Sequence, residues 1–265
     1  MKILFQTRFS FFGKSGWRSE ASRDPGKLFD PERLDARFAM FERFTLASLA
    51  AQEDDGFMHM VLASSEMPME HRKRLRELLG DMLGSRARMI LRPYSSAGHK
   101  FRRYTRKMFE DTPVTQVVLD DDDALSCDFT AQLRHHARHA AQTSFEARRG
   151  VFLTFPHGLS MVVKGTTPTR FIPRNVPFTN LGLAVVGPAD MARNPYLTSH
   201  RRIGERHPHL VLGDSRPFYL RTVHDSNDSR AMVGEGVLEG PALARALERF
   251  PFLPKTAKVA QWKVA

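Results

Sequence analysis

Four consecutive carboxylates, Asp120-Asp121-Asp122-Asp123, follow the apolar stretch Val117-Val118-Leu119 and precede Ala124-Leu125. Adjacent like charges repel, and at the end of a buried strand they are costly unless something positive neutralises them. A divalent cation is the simplest partner, because Mg²⁺ and Mn²⁺ take hard oxygen donors and leave positions open for phosphate. On an extended strand alternate residues share a side, so Asp120 and Asp122 point together while Asp121 and Asp123 point away. The other reading is a solvated acidic turn that caps the helix starting near Asp128.

Further along, His224-Asp225-Ser226-Asn227-Asp228-Ser229 follows the strand-like Phe218–Val223. An imidazole at a strand end can complete the coordination of Mn²⁺, and Asn227 and Ser229 offer hydrogen bonds to phosphate or sugar; a plain polar turn would use the same residue types. A third group, Arg102, Arg103 and Arg106, shares a helix one strand before the aspartates and could grip diphosphate oxygens, or form a solvated helix face. His135 and His139 are four apart on a helix, but no HExxH pattern accompanies them and a surface face is the better reading. Gly13-Lys14-Ser15-Gly16 lacks the full P-loop spacing.

The chain has 265 residues, enough for one large domain with a full core. Its single cysteine, Cys127, excludes an intrachain disulfide framework and a cysteine-rich zinc site. Arg8 and Lys14 interrupt the apolar start before a signal-peptide core can form, and no window reaches the roughly 18 apolar residues of a spanning helix. The expected location is the cytoplasm, with room for peripheral association at the inner face of the membrane. The net charge of +11 favours anionic partners: nucleotide phosphates, nucleic acid or an acidic membrane surface. The excess is Arg-rich and spread along the chain without a long basic tail, and no nucleic-acid-binding motif accompanies it.

These residues need a scaffold that brings them to one edge. Strands are expected at 2–6, 57–62, 88–91 and 115–119, alternating with a helical face built by Phe38, Phe41, Thr45, Leu46 and Leu49, then helices over 72–83, 100–110 and 128–148. Such alternation predicts an α/β fold, a mostly parallel twisted sheet flanked by helices, with ligands at the carboxyl ends of its strands. The second half changes character. Strands at 150–155, 159–164 and 181–186, a Thr/Pro/Arg-rich connection between the last two, and a late helix at 242–250 predict a mixed or antiparallel addition. One domain spans 1–265, with a nucleotide-binding half over 1–126, an acceptor side over 127–235, and a C-terminal helix and basic tail over 236–265.

An ordered set of segments resembles the bacterial rhamnosyltransferase family. It comprises Gln6-Thr7-Arg8-Phe9-Ser10, Leu34-Asp35-Ala36-Arg37 with Phe41-Glu42-Arg43-Phe44-Thr45-Leu46, Val61 to Pro68, Leu119 to Leu125, Phe155-Pro156-His157-Gly158-Leu159, and His224-Asp225-Ser226-Asn227. The resemblance implies a GT-A-like glycosyltransferase moving a sugar, rhamnose among the candidates, from a nucleoside-diphosphate donor to a saccharide or lipid-linked acceptor. It further implies Mn²⁺ or Mg²⁺ at Asp120, Asp122 and His224, with Thr7, Arg8 and Ser64 cradling base and ribose and Asp120 near the ribose. Asp121 and Arg102 complete the expected donor-binding set. A base must take the acceptor proton; Asp190, just after the strand 181–186, is the first choice, with His200 and Glu205 as rivals. A metal-dependent nucleotidyltransferase or nuclease, and a basic nucleic-acid-binding protein, are the competing classes.

Overall fold

The computed structural model describes residues 1–14, 20–110, 112–143, 149–191, 193–224 and 236–254. Ser15 and Gly16, the segment 225–229 with Asn227 and Ser229, the end of the long helix over 144–148 and the tail from 255 lie outside them.

The strands are β1 (Lys2–Phe9), β2 (Gly13–Lys14), β3 (Phe57–Ser64), β4 (Ala87–Arg92), β5 (Ser95–Ser96), β6 (Pro113–Val118), β7 (Ala124–Leu125), β8 (Val151–Thr154), β9 (His157–Lys164), β10 (Thr167–Asn175), β11 (Ala184–Pro188), β12 (His209–Val211) and β13 (Tyr219–Val223). The α-helices are α1 (Pro25–Leu28), α2 (Pro31–Met40), α3 (Ala47–Ala50), α4 (Met69–Leu83), α5 (Ala97–Phe109), α6 (Phe129–Thr143), α7 (Ile203–Arg206) and α8 (Gly240–Leu247). A π-helical stretch, Phe41–Leu46, joins α2 to α3.

Seven strands form the main sheet in the order β12-β8-β11-β6-β1-β3-β4. β6, β1, β3 and β4 run parallel, as the βα alternation requires. Chain order reverses between β1 and β6: β3 and β4 extend to one side of β1, and β6 lies on the other. The carboxyl ends of β1 and β6 therefore border the crevice where open α/β sheets bind ligands. The expected helical face is buried in full, with Phe38, Phe41, Thr45, Leu46 and Leu49 all inaccessible to solvent. Together with Leu75, Leu79, Leu133 and Ala137 it builds the core on one face of the sheet. Phe101 of α5 with Leu4, Met60, Leu62 and Val114 builds the core on the other.

A second sheet, β10-β9-β13-β7, forms the mixed addition. Leu159, Met161, Phe171 and Leu220 of this sheet pack against Phe44, Leu243 of α8, and Phe250. The connection read as Thr/Pro/Arg-rich contains β10, a nine-residue strand antiparallel to β9. Its prolines, Pro168 and Pro173, are tolerated because β10 is an edge strand. The acidic residues 120–123 occupy the short link from β6 in the main sheet to β7 in the second, and Asp121 and Asp122 lie in a turn.

Candidate active site at the junction of the two sheets

The crevice is built from β1 outward. β1 continues to Phe9, so Thr7 and Arg8 are strand residues and not the loop the sequence suggested. Thr7 is fully buried; its hydroxyl donates to the Leu119 carbonyl at 2.8 Å and accepts from His59 Nε2 at 2.9 Å. The Leu119 amide in turn donates to the Gln6 carbonyl at 3.2 Å. Thr7 thus fixes the last residue before the aspartates and has its hydroxyl committed inside the protein. His59 Nδ1 has no hydrogen-bond partner among the described residues, and burial pushes the ring's pKa down to about 3, so the imidazole is neutral.

Arg8 is 4 % exposed and pairs with Asp120 at 3.2 Å. Its guanidinium lies 4.7 Å from the centroid of the Tyr196 ring. The Tyr196 hydroxyl donates to the Gln6 carbonyl at 2.8 Å, and its ring stacks on Phe101. Asp120 has the most accessible carboxylate of the three aspartates that pair with arginine, with its side chain 29 % exposed. Burial, with Asp122 adding to it, raises its pKa despite the opposing pull of Arg8.

The next three aspartates turn inward. The turn replaces the strict alternation expected of an extended strand, and Asp121 and Asp122 face one cation together. Arg37 of α2, itself 4 % exposed, places Nη2 and Nε on Asp121 and Nη1 on Asp122 at 3.0 Å. His224 Nε2 reaches the same Oδ2 of Asp122 at 3.0 Å. Burial opposes ionisation of Asp122, yet Arg37 and His224 hold its pKa at about 2. Burial dominates at Asp121 and lifts it to about 6. Asp123 accepts from the Thr222 amide at 2.8 Å, and burial beside Asp122 and Asp120 raises it well above the carboxylate range. Thr45, in the π-helical stretch, donates to the Asp123 carbonyl at 2.8 Å. Such widened turns recur at functional sites.

His224 meets Asp122 for a topological reason. β13 runs antiparallel to β7 with Leu220 opposite Ala124, so its end returns to the start of β7. Arg8 and Arg37 bring positive charge to the aspartates, for which the sequence reading named a divalent cation as the simplest partner. Two guanidiniums, Arg8 and Arg37, thus face the carboxylates of Asp120, Asp121 and Asp122. Asp122 Oδ2 and His224 Nε2 lie 3.0 Å apart, close to the spacing of adjacent donors about 2.1 Å from one octahedral ion. Among the described residues no group of three His, Cys, Asp or Glu is already gathered to hold a metal.

The other expected residues divide. Ser64 is buried at the end of β3, where its hydroxyl accepts from the Glu66 amide at 3.1 Å. Arg102 lies half-buried on α5, and Arg8 and Arg37 are the cations that pair with the aspartates. Asp190 stands apart from the aspartates. β11 is antiparallel to β6, with Pro188 opposite Pro113, so Asp190 is exposed at the far edge of the sheet. The length of β6 puts it roughly 20 Å from the aspartates. Glu205 is exposed on α7. His200 is half-buried, and its Nδ1 contacts the Phe178 carbonyl at 3.0 Å. The Nδ1–H donates, which leaves Nε2 as the acceptor nitrogen. Burial, with Arg201 assisting, lowers its pKa and keeps it neutral.

Arg37 was not identified from the sequence as a site residue. One sign was present: it interrupts the apolar stripe Leu34, Phe38, Phe41, where a cation needs a buried partner.

Among solved structures, the fold is similar to residues 1–349 of TarS from S. aureus, at 12 % identity over 84 % of this chain and 60 % of that one, with a TM-score of 0.42. It is also similar to a protein from Desulfovibrio desulfuricans G20 described as a "putative nucleotide-diphospho-sugar transferase", at 12 % identity over 84 % and 81 % of the two chains, with a TM-score of 0.35. A galactosyltransferase, LgtC, in complex with donor and acceptor sugar analogs matches at 10 % identity over 77 % and 64 %, with a TM-score of 0.32. This chain thus spans three-fifths of the TarS fragment. No curated protein matches. The family model described as "Putative rhamnosyl transferase" matches residues 2–236, from the first residue of β1 past the end of β13, and the chain belongs to that family.

Proposed function

We propose that the protein transfers a sugar, of the rhamnose class that its family's description names, from a nucleoside-diphosphate donor to a saccharide or lipid-linked acceptor. The observation that carries this reading is the Arg8–Asp120 pair at the β1/β6 crevice, with the Asp122–His224 pair beside it. In this reading the diphosphate docks at the crevice mouth, where Arg8 offsets the charge that builds on it as the glycosidic bond breaks. Asp122 and His224 would hold Mn²⁺ or Mg²⁺ with Asp120 as the most accessible further donor, and the ion would supply additional charge to stabilise the leaving diphosphate. His200 takes the role expected of Asp190. The acceptor hydroxyl gives its proton to Nε2 while its oxygen bonds to the anomeric carbon; the electron pair of the broken bond leaves with the diphosphate. Tyr196 and Phe101 brace Arg8 from behind, so the guanidinium needs little reorganisation.

The test is a thermal-shift series with nucleoside diphosphates, with and without Mn²⁺, followed by release of nucleoside diphosphate from the matching sugar nucleotide. A Mn²⁺-dependent shift that Asp122→Ala abolishes is the expected result. A shift that survives in Asp122→Ala removes that residue from the site, and no shift with any diphosphate overturns the reading.

A further inference from the structure

Counted by element, the positive charge is far less even than a reading along the chain suggests. Residues 69–109 contain twelve Lys and Arg against three acids, Glu70, Glu77 and Asp81, and so carry +9 of the chain's +11. The other 224 residues carry only +2. This segment is α4, β4 and α5, and β4 is the outermost strand of the main sheet. α4 packs on one face of the sheet through Leu75, Leu79 and Leu83, while α5 packs on the other through Phe101. The two helices flank the free edge of β4, and a single open groove there is lined by Arg76 from α4, Arg88 and Arg92 from β4, and Tyr104 from α5.

Two positive side chains on an edge strand would suffice to discourage strand pairing; an excess of nine positive charges over 41 residues exceeds that need. Apolar residues sit among the charges. Met69, 74 % exposed, is seven residues before Arg76 and shares its stripe on α4. Met108, 37 % exposed, follows Tyr104 by four on α5, and Tyr94, 54 % exposed, stands just past the end of β4. Lys100 and Lys107 bracket Tyr104 on that side of α5. Basic side chains mixed with protruding methionines and a tyrosine match the chemistry of an acidic lipid headgroup layer, with phosphates for the cations and the acyl boundary for the apolar groups.

We propose that the β4 edge, with the facing stripes of α4 and α5, docks this protein on an anionic bilayer surface. The docking face lies about three strand spacings, or about 14 Å, from the β6 aspartates. Met69 and Tyr94 stand at the carboxyl-end side of the sheet, the side on which the crevice opens. This proposal needs no assumption about sugar transfer and is tested without it.

The experiment is co-sedimentation of the full chain with vesicles of phosphatidylcholine alone or with about one-third phosphatidylglycerol. Binding to the acidic vesicles is expected to exceed binding to the neutral ones by about tenfold and to weaken as salt rises from about 0.1 to 0.5 M. The triple variant R76E/R88E/K107E should lose at least about tenfold in vesicle affinity. The triple K164E/R170E/R206E makes the same change in net charge on exposed residues elsewhere and should lose under about threefold. Arg88→Glu alone, at an exposed site, serves if the first triple fails to fold, and should still weaken binding more than Lys164→Glu does. Equal binding to both vesicle types, or equal loss in both triples, overturns the proposal. So does a duplex DNA oligomer that binds more tightly than the vesicles and loses that binding in R76E/R88E/K107E, which would assign the face to nucleic acid.

Discussion

Arg37 holds two buried carboxylates, Asp121 and Asp122, with one guanidinium. Arg37→Ala would leave Asp121 and Asp122 facing each other in a site closed to water. A loss of about 3–5 kcal/mol is expected in urea denaturation, partly restored by adding Asp121→Asn. His59 makes a second, pH-dependent contribution. Its folded pKa of about 3 lies below the unfolded 6.5, so the unfolded chain takes up a proton first as pH falls. The stability it contributes is present above pH 6.5 and declines between 6.5 and 3, by about 2 kcal/mol at pH 5. His59→Gln should flatten that part of the profile relative to the native chain, measured by urea denaturation at pH 7.5, 6 and 5. At His200 the expectation is kinetic: His200→Ala should lower kcat by about 10²–10⁴ with KM changed far less, read from release of nucleoside diphosphate. The chemistry of the acidic run was legible because four like charges after an apolar stretch admit few explanations. Its partner was not, because Arg37 lies 84 residues away and only the tertiary fold joins them.

Strand direction decides which of the expected residues can act together. Asp190 was the first choice of base because it closely follows a strand; β11 runs antiparallel to β6 and places it at the edge opposite the aspartates. Asp190→Ala should therefore leave kcat/KM within about twofold of the native value, a change within the range of exposed substitutions. The four parallel strands and their helices were readable from periodicity, with boundaries shifted by a few residues. β10 was not, because its prolines mimic a loop and only its edge position makes them acceptable. The segment Phe155-Pro156-His157-Gly158-Leu159 has a packing explanation. A Cβ on Gly158 would stand 2.4 Å from the Tyr219 ring, whose hydroxyl donates to the Pro156 carbonyl at 3.0 Å. Gly158→Ala should cost about 1–3 kcal/mol in thermal or urea unfolding, the range for overfilling a packed site.

Across the whole molecule, the family match stops at residue 236, yet the fold does not. Leu243 of α8, with Phe250 and Leu253 just beyond, closes the core beneath the second sheet, and the Leu238 amide donates to the Phe171 carbonyl at 2.8 Å. A chain ending at 236 would lose these three buried side chains, worth about 1.5–3 kcal/mol each, and expose the core they cover, and its melting temperature should fall accordingly. No helix among the described residues is long and apolar enough to cross a membrane. The four aspartates are also the only covalent link between β6 and β7, and Thr222, His224, Arg37 and Thr45 clasp that link from both sides. Whatever grips the crevice must therefore stiffen the seam between the two layers. Occupancy would be felt as slower amide exchange along β13, whose end leads into His224, and onward into β9, its neighbour in the second layer.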